Sequence, residues 1–385
     1  YYTDEIVLSI EFSSLPCGYR SPRSQWNQDT LNTLCENGFL WNAESDTRKV
    51  PYFIYKGLVR LPIAGDDWPF FIGKMSLEKW VKEFSSFLKT KPYFGFGTHD
   101  FVGAHNPEKY SLAYERLLQL AIKCKRKLVT FSEAADLFRR VALSKYYSNN
   151  AKYWNNSTKV LYRTRRFREI IRAETEKLRR PIVADLGSGG GILSSPLRDI
   201  AGKIYCVDNA PGMVAEVEPD SHVQAYLGEA TASNLPDDSI DLVICARLIE
   251  YIFWPDLLAD EIKRIGKIGA TYIVTFPSLF SSRVLNAGNV PDRIRRYYRA
   301  DEIKKWTSQI GPGRLIGVQY HIHEPDSPQA EQLYREKEKN PHLDDNPTNW
   351  VYIGTIDNKS KSEHYRKTIP VSEVSSIYKY IRLLE

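Results

Sequence analysis

One turn constrains this chain more than any other feature. Ile182, Val183, Ala184 and Asp185 lead into Leu186, Gly187, Ser188, Gly189, Gly190 and Gly191. An apolar run ends in an acidic residue, and a glycine-rich turn follows at once. Glycine accepts positive φ and lets a backbone come close to a ligand. The pattern therefore predicts a strand, a tight turn and a helix whose free N–H groups face that ligand. Spacing excludes two common ligands. A dinucleotide fingerprint, Gly-x-Gly-x-x-Gly, would need its third glycine where Ile192 stands. A phosphate-cradling loop would need Gly-Lys-Ser/Thr, which is absent. A purely structural turn, with Asp185 as a helix N-cap, is the simpler alternative.

The residues around this turn repeat its strand-then-helix logic. Apolar runs at 181–186, 203–207, 223–227, 241–246 and 271–276 are separated by longer amphipathic stretches. That alternation predicts a doubly wound α/β sheet. Runs at 314–322 and 350–356 are expected to add a terminal antiparallel pair. His321 and His323 would lie on the first of these strands, facing one side. The 385 residues leave room for more than one domain. The Asn-rich, polar stretch 145–157 reads as a linker or cap, which divides the chain into 1–145 and 146–385.

Composition narrows the function classes. Hydrophobic residues make up 42% and charged residues 26%, which excludes a disordered chain. No apolar stretch approaches the roughly 18 residues of a membrane span. Five cysteines without Cys-x-x-Cys spacing suit a reduced, cytoplasmic setting. The net charge is +6, and arginines cluster at 163–172 and 293–299. Such clusters can bind nucleic acid. Glu169 and Glu174 interrupt the first, so a solvated helix face is the expected reading. A small molecule or glycan is the expected partner, and nucleic acid is not. Oligomeric state is not legible.

Spacing downstream of the turn is informative. The next strand ends at Asp208, about twenty positions on, where a carboxylate can accept ribose hydroxyls. A cap on the helix beginning at Ala210 and Pro211 is the alternative. The third run is followed by Gly228, Glu229, Ala230 and Thr231, and then by LPDDSIDLVICARLIEYI. Together these segments resemble class I S-adenosylmethionine (SAM) dependent methyltransferases over residues 150–357. The resemblance implies a seven-stranded Rossmann-like sheet with SAM as cofactor. It places Asp185, Gly187, Ser188 and Gly189 at the methionine end, Asp208 and Asn209 at the ribose, and Glu229 and Ala230 at the adenine. Arg247 would lie beside the transferable methyl. Glu250 and Tyr251 stand where the family commonly has Glu-His and are the catalytic candidates. Tyr251 in place of His weakens a histidine base there.

The N-terminal half carries a second resemblance. Gly18, Tyr19, Arg20, Ser21 and Pro22, with Asn37, Gly38 and Phe39, resemble a motif of polysaccharide deacetylases. So do Asp66, Asp67 and Trp68, the run Gly97, Thr98, His99, and the segment 128–135. The resemblance implies a partial β/α-barrel of deacetylase type. His99 would be its catalytic acid, Arg20 the orienting group for the base, and Asp67 the support for Arg20. Such enzymes use a divalent metal such as zinc to activate water. The consecutive Asp pair is missing here, with Glu11, Phe12 and two serines in its place, and His-x-x-x-His is absent. The metal ligands are therefore unknown. Either residues are missing around the first strand, as a start at Tyr1 suggests, or this half is a metal-free binding remnant. The implied activity is SAM-dependent methyl transfer to a sugar-containing or other small metabolite, in one chain with a deacetylase-like domain.

Overall fold

The computed structural model describes residues 18–48, 50–55, 57–98, 106–158, 161–281, 297–321, 323–341, 346–360 and 368. The chain divides into two compact units between Ala142 and Leu143. That point lies inside the helix Phe131–Asn149. The stretch expected to be a linker is thus helical, continuing as Ala151–Thr158. Its asparagines were read as turn formers, but Ser144, Tyr147, Ser148, Ala151 and Asn155 follow the helical repeat.

In the N-terminal unit, β1 (Gly18–Tyr19) pairs in parallel with β2 (Trp41–Ser45), and β2 pairs in parallel with β4 (Leu58–Asp66). Along its other edge β4 meets β3 (Tyr52–Tyr55) antiparallel and then β5 (Gly95–Gly97) parallel. The parallel pairings are of β/α type. Among the described residues the sheet is open, so the expected barrel is not closed here. Phe70, Trp80, Tyr110, Ala113 and Leu117 form an aromatic core that ties the helices Leu77–Thr90 and Pro107–Lys123 together. Within it, Phe70 stacks on Trp80 with ring centroids 5.4 Å apart.

The C-terminal unit is built on one seven-stranded sheet. Its strands are β6 (Ile182–Leu186), β7 (Lys203–Asp208), β8 (Val223–Leu227), β9 (Ile240–Ala246), β10 (Gly266–Pro277), β11 (Gly313–Val318) and β12 (Asn349–Thr355). Their order is β11-β12-β10-β9-β6-β7-β8. β6 to β10 run parallel, and β12 runs antiparallel to both neighbours. The expected terminal antiparallel pair is present. Its first strand stops at Val318, however, because Gln319 takes φ +62°. His321 is therefore off the strand and stacks on Tyr334, with ring centroids 4.4 Å apart. The strand expected to carry both histidines does not.

Period-two alternation builds the core on both faces. Val183, Ile204, Leu242, Ile244 and Ile273 meet Phe167 and Ile171 of the helix Tyr162–Thr175. Ala184, Leu186, Val207, Val243 and Val274 meet Leu258 and Ile262 of the helix Pro255–Ile265, and Ile303 of Ala300–Thr307. Each such side chain contributes roughly 1.5–3 kcal/mol by leaving water. The sheet is thereby rigid up to the carboxyl ends of its strands. Strand order reverses direction from β6, with β7 on one side and β9 on the other, which opens a crevice at those ends.

Candidate functional site

The site begins where β6 ends. Gly187, Gly189 and Gly191 take φ of +71°, +55° and +70°. A Cβ at Gly187 would sit 2.7 Å from Leu248 Cδ1, so both its conformation and its space demand glycine. No α-helix follows this turn; a short 3₁₀ turn at Ser195–Leu197 stands in its place. The expected helix N-terminus, with its fan of N–H groups, is therefore missing. Loop backbone does its work: Gly187 and Ser188 donate to the Val207 carbonyl at 2.8 and 3.1 Å, and Gly189 donates to Asp208 Oδ2 at 2.9 Å.

Three acidic side chains surround this loop. Asp185 is 1% exposed, and its Oδ1 has no hydrogen-bond partner. Burial pushes its carboxyl up to about 7, with a Ser194 hydroxyl opposing the shift and the charge of Asp208 adding to it. It is no N-cap, because its strand leads into a turn. At the tip of β7, Asp208 accepts Gly189 N–H at one oxygen and Ala210 N–H, at 2.9 Å, at the other. The second bond closes an Asx-type turn and is not a helix cap, since Ala210 is the N-cap of the helix Pro211–Val214 and no side chain caps it. Burial pushes Asp208 up to about 6, against the pull of these backbone donors. Glu229, after β8, is 5% exposed, and its Oε2 accepts from Asn209 Nδ2 at 3.3 Å. Asp185, Gly187, Gly189, Asp208, Asn209 and Glu229 thus lie on adjacent strand tips, with Ser188 and Ala230 next to them in the chain. A buried carboxyl oxygen in want of a donor, a glycine floor and two more acids suit a ligand with an ammonium group, ribose hydroxyls and an exocyclic amine. SAM has all three, and the residues present fit it.

Beyond β9 the arrangement differs from expectation. Arg247 takes φ +57° and is held by donation from its N–H to the Thr275 carbonyl at 2.9 Å. Its Nε donates to Glu250 Oε1 at 2.8 Å, and its Nη1 reaches Asn349 Oδ1 at 3.4 Å. Glu250 is fully buried. Its Oε1 is an ion-pair partner of Arg247, and its Oε2 has no hydrogen-bond partner. The hydroxyl of Tyr251 pairs with that of Tyr147 at 2.6 Å. Ser144 Oγ donates to the Asn209 carbonyl at 2.8 Å, and Ser148 Oγ accepts from Gly212 N–H at 3.2 Å. A side chain at Gly190 would collide with Asn155. Reading residues by motif missed this helical wall; the i, i+3, i+4 spacing noted above was the available signal.

The first arginine cluster is spent within the molecule. Arg165 pairs with Glu331 at 2.6 Å, Arg166 with Glu338 at 2.7 Å and Arg172 with Asp199 at 2.6 Å. Arg168 Nε donates to the Ile192 carbonyl at 2.7 Å. The second cluster begins outside the described residues.

In the N-terminal unit, His99 lies outside the described residues. The guanidinium of Arg20 lies against Gly97. Asp67 is fully buried, and its Oδ2 accepts from Tyr114 Oη at 2.5 Å. Tyr114 is thus one partner of Asp67. Among the described residues, no three His, Cys, Asp or Glu side chains cluster as a metal site would need. These residues do not fit the zinc implied by the deacetylase resemblance. Among them, also, no helix is long and apolar enough to cross a membrane.

A seven-stranded sheet of this order, with an acidic residue and glycines after its first strand and acids on its next two tips, is the arrangement that the resemblance to class I SAM-dependent methyltransferases implies for the C-terminal unit. Residues 184–274 match the family model of a methyltransferase domain. The mitochondrial ubiquinone biosynthesis O-methyltransferase of Schizosaccharomyces pombe is 24% identical over 173 residues, 40% of this chain and 61% of that protein. The chain thus spans about 61% of the length of this curated relative. Among solved structures, the Haloferax volcanii complex of the Trm112 activator with a methyltransferase aligns at 16% identity. It covers 55% of this chain and 98% of that one, with a TM-score of 0.44. A SAM-dependent methyltransferase from Thermotoga maritima aligns at 18% identity, covering 58% of this chain and all of the other, with a TM-score of 0.41.

Proposed function

We propose that this protein transfers a methyl group from SAM to a hydroxyl of a small, sugar-containing metabolite. SAM supplies a methyl on a sulfonium sulfur, so the protein has to align donor and acceptor rather than activate the donor. Asp185 and the backbone of Gly187 and Gly189 would hold the methionine end. Asp208 and Asn209 would hold the ribose, and Glu229 with Ala230 would frame the adenine. Arg247 would border the methyl, kept in place by Glu250.

The observation that carries this reading is the ring of three buried acids around a glycine floor at the tips of β6, β7 and β8. A hydroxyl acceptor is favoured by the Tyr147–Tyr251 pair at 2.6 Å. These phenols can accept a hydrogen bond from the acceptor hydroxyl and relay its proton to bulk water once the oxygen begins to bond to carbon. The sugar class rests on the deacetylase resemblance of residues 18–135.

The test is transfer of tritium from methyl-labelled SAM by the full chain to a panel of amino sugars, neutral sugars, catechol and a short duplex DNA. Label should appear in a sugar and resist mild base, as a methyl ether does. Label in DNA alone, or in catechol but no sugar, would overturn the acceptor assignment.

A further inference from the structure

One face of the N-terminal sheet is polar and buried, which is costly unless something answers its groups. Arg60 on β4 is fully buried and stands in register with Asn42 of β2 and Tyr52 of β3. Trp26 covers its guanidinium from one side, 4.2 Å from ring centroid to Cζ. Its Nη1 comes no nearer than 3.7 Å to Asp46 Oδ2, and its Nε and Nη2 have no partner. The acids around it are engaged elsewhere, except that Glu44 Oε2 has no hydrogen-bond partner. Asp46 accepts from Tyr52 Oη at 2.7 Å and from Arg48 N–H at 2.9 Å. Glu44 Oε1 accepts from Ser21 N–H at 2.7 Å and from Asn42 Nδ2 at 2.8 Å.

Arg60 lines a cavity of about 800 Å³, within the size range of small-molecule sites. Its walls include the rings of Trp26, Trp80, Phe84 and Phe96; Arg48 and Lys91 add two more cations, with Asp46, Asp66 and Glu83 also on the lining. A guanidinium fork matches the two oxygens of a carboxylate or phosphate. We propose that this cavity binds a ring-bearing small molecule through its carboxylate or phosphate, held by the Arg60 guanidinium with the ring against the aromatic wall. The site uses neither the methyltransferase residues nor Arg20, Asp67 and His99.

Calorimetry on the full chain tests this with phenyl phosphate, benzoate, benzyl alcohol and glucose as probes. Phenyl phosphate or benzoate should bind saturably, at least tenfold tighter than benzyl alcohol or glucose; whichever anion binds tighter identifies the ligand as a phosphate ester or a carboxylic acid. Arg60→Gln should weaken that binding at least tenfold. Trp26→Ala, at a half-exposed position that does not endanger folding, should weaken it several-fold, and Asp208→Ala should leave it unchanged. If Arg60→Gln does not fold, the anion-to-neutral ratio on the native chain and the Trp26→Ala result decide. Equal binding of benzyl alcohol and benzoate, undiminished binding by a folded Arg60→Gln, or no saturable binding of either anion would overturn the proposal.

Discussion

The two sheets of this molecule treat polar side chains in opposite ways. In the C-terminal unit, both faces of the sheet are apolar along the strands, and polar groups gather at the carboxyl tips. Asp185 is the last polar residue before the turn, and behind it lie Val183 and Ala184, both fully buried. In the N-terminal unit, Asn42, Glu44 and Arg60 sit in mid-strand, fully buried, each with an atom lacking a partner. The first arrangement separates stability from function, because the core holds the scaffold while the tips hold the ligand. The second mixes them, so the same buried groups that would bind a ligand weaken the empty fold.

Four results would break or sharpen this contrast. The largest effect belongs to the C-terminal core. Ile244→Ala removes a fully buried side chain from the middle of β9 and should cost about 2–5 kcal/mol, read as a lowered unfolding midpoint in urea. An equal loss from Asn42→Ala would erase the distinction, since that side chain donates only one bond to Glu44 and one to the Tyr19 carbonyl at 3.2 Å.

Next is Gly187→Ala. A Cβ there meets Leu248 at 2.7 Å with φ at +71°, so strain of about 1–3 kcal/mol is expected, together with loss of SAM binding. Normal SAM affinity in a folded Gly187→Ala protein would show that the turn is structural only.

The third is a pH dependence. The folded pKa of Asp185 is raised to about 7, well above its ordinary value. The folded state therefore keeps a proton that the unfolded state gives up. Its stabilising contribution is complete below about pH 4 and is lost as pH rises through 7. Asp208, at about 6, acts in the same direction. The unliganded chain should lose on the order of 4 kcal/mol between pH 5 and 8 from these groups, about two thirds of it from Asp185. Asp185→Asn should flatten that slope in a thermal melt series; an unchanged slope would place the titration elsewhere.

The smallest is Tyr251→Phe. Losing the hydroxyl bond to Tyr147 should cost about 0.5–1.5 kcal/mol of stability and leave SAM affinity intact. A several-fold fall in methyl-transfer rate at constant SAM affinity would support proton handling by this pair. An unchanged rate would make the pair structural.

What was legible in the sequence follows the same division. The apolar runs, the glycine turn and the acids at Asp208 and Glu229 could be read because each depends on local spacing along a strand and its exit. The turn's missing helix could not, because it depends on Gly191 and the Ser194, Ser195, Pro196 run favouring a 3₁₀ turn over a helix. The Arg247–Glu250 pair could not be read either, because sequence does not show that Arg247, at positive φ, pairs with a residue three positions on. Tyr147 and Asn155 were hidden by polar composition, which masked their helical repeat. In the N-terminal half, motif residues were visible as letters, but their partners depend on contacts far apart in the chain, as with Asp67 and Tyr114.

The central claim is that acids on adjacent strand tips of the C-terminal sheet bind SAM. Titration calorimetry of SAM into the full chain, native and Asp208→Ala, tests it most directly. The account predicts one site per chain in the micromolar range and a loss of at least 30-fold in the variant, from charge-assisted bonds of about 1.5–3 kcal/mol each. No binding below millimolar by the native chain, or equal affinity in a folded Asp208→Ala protein, would contradict it.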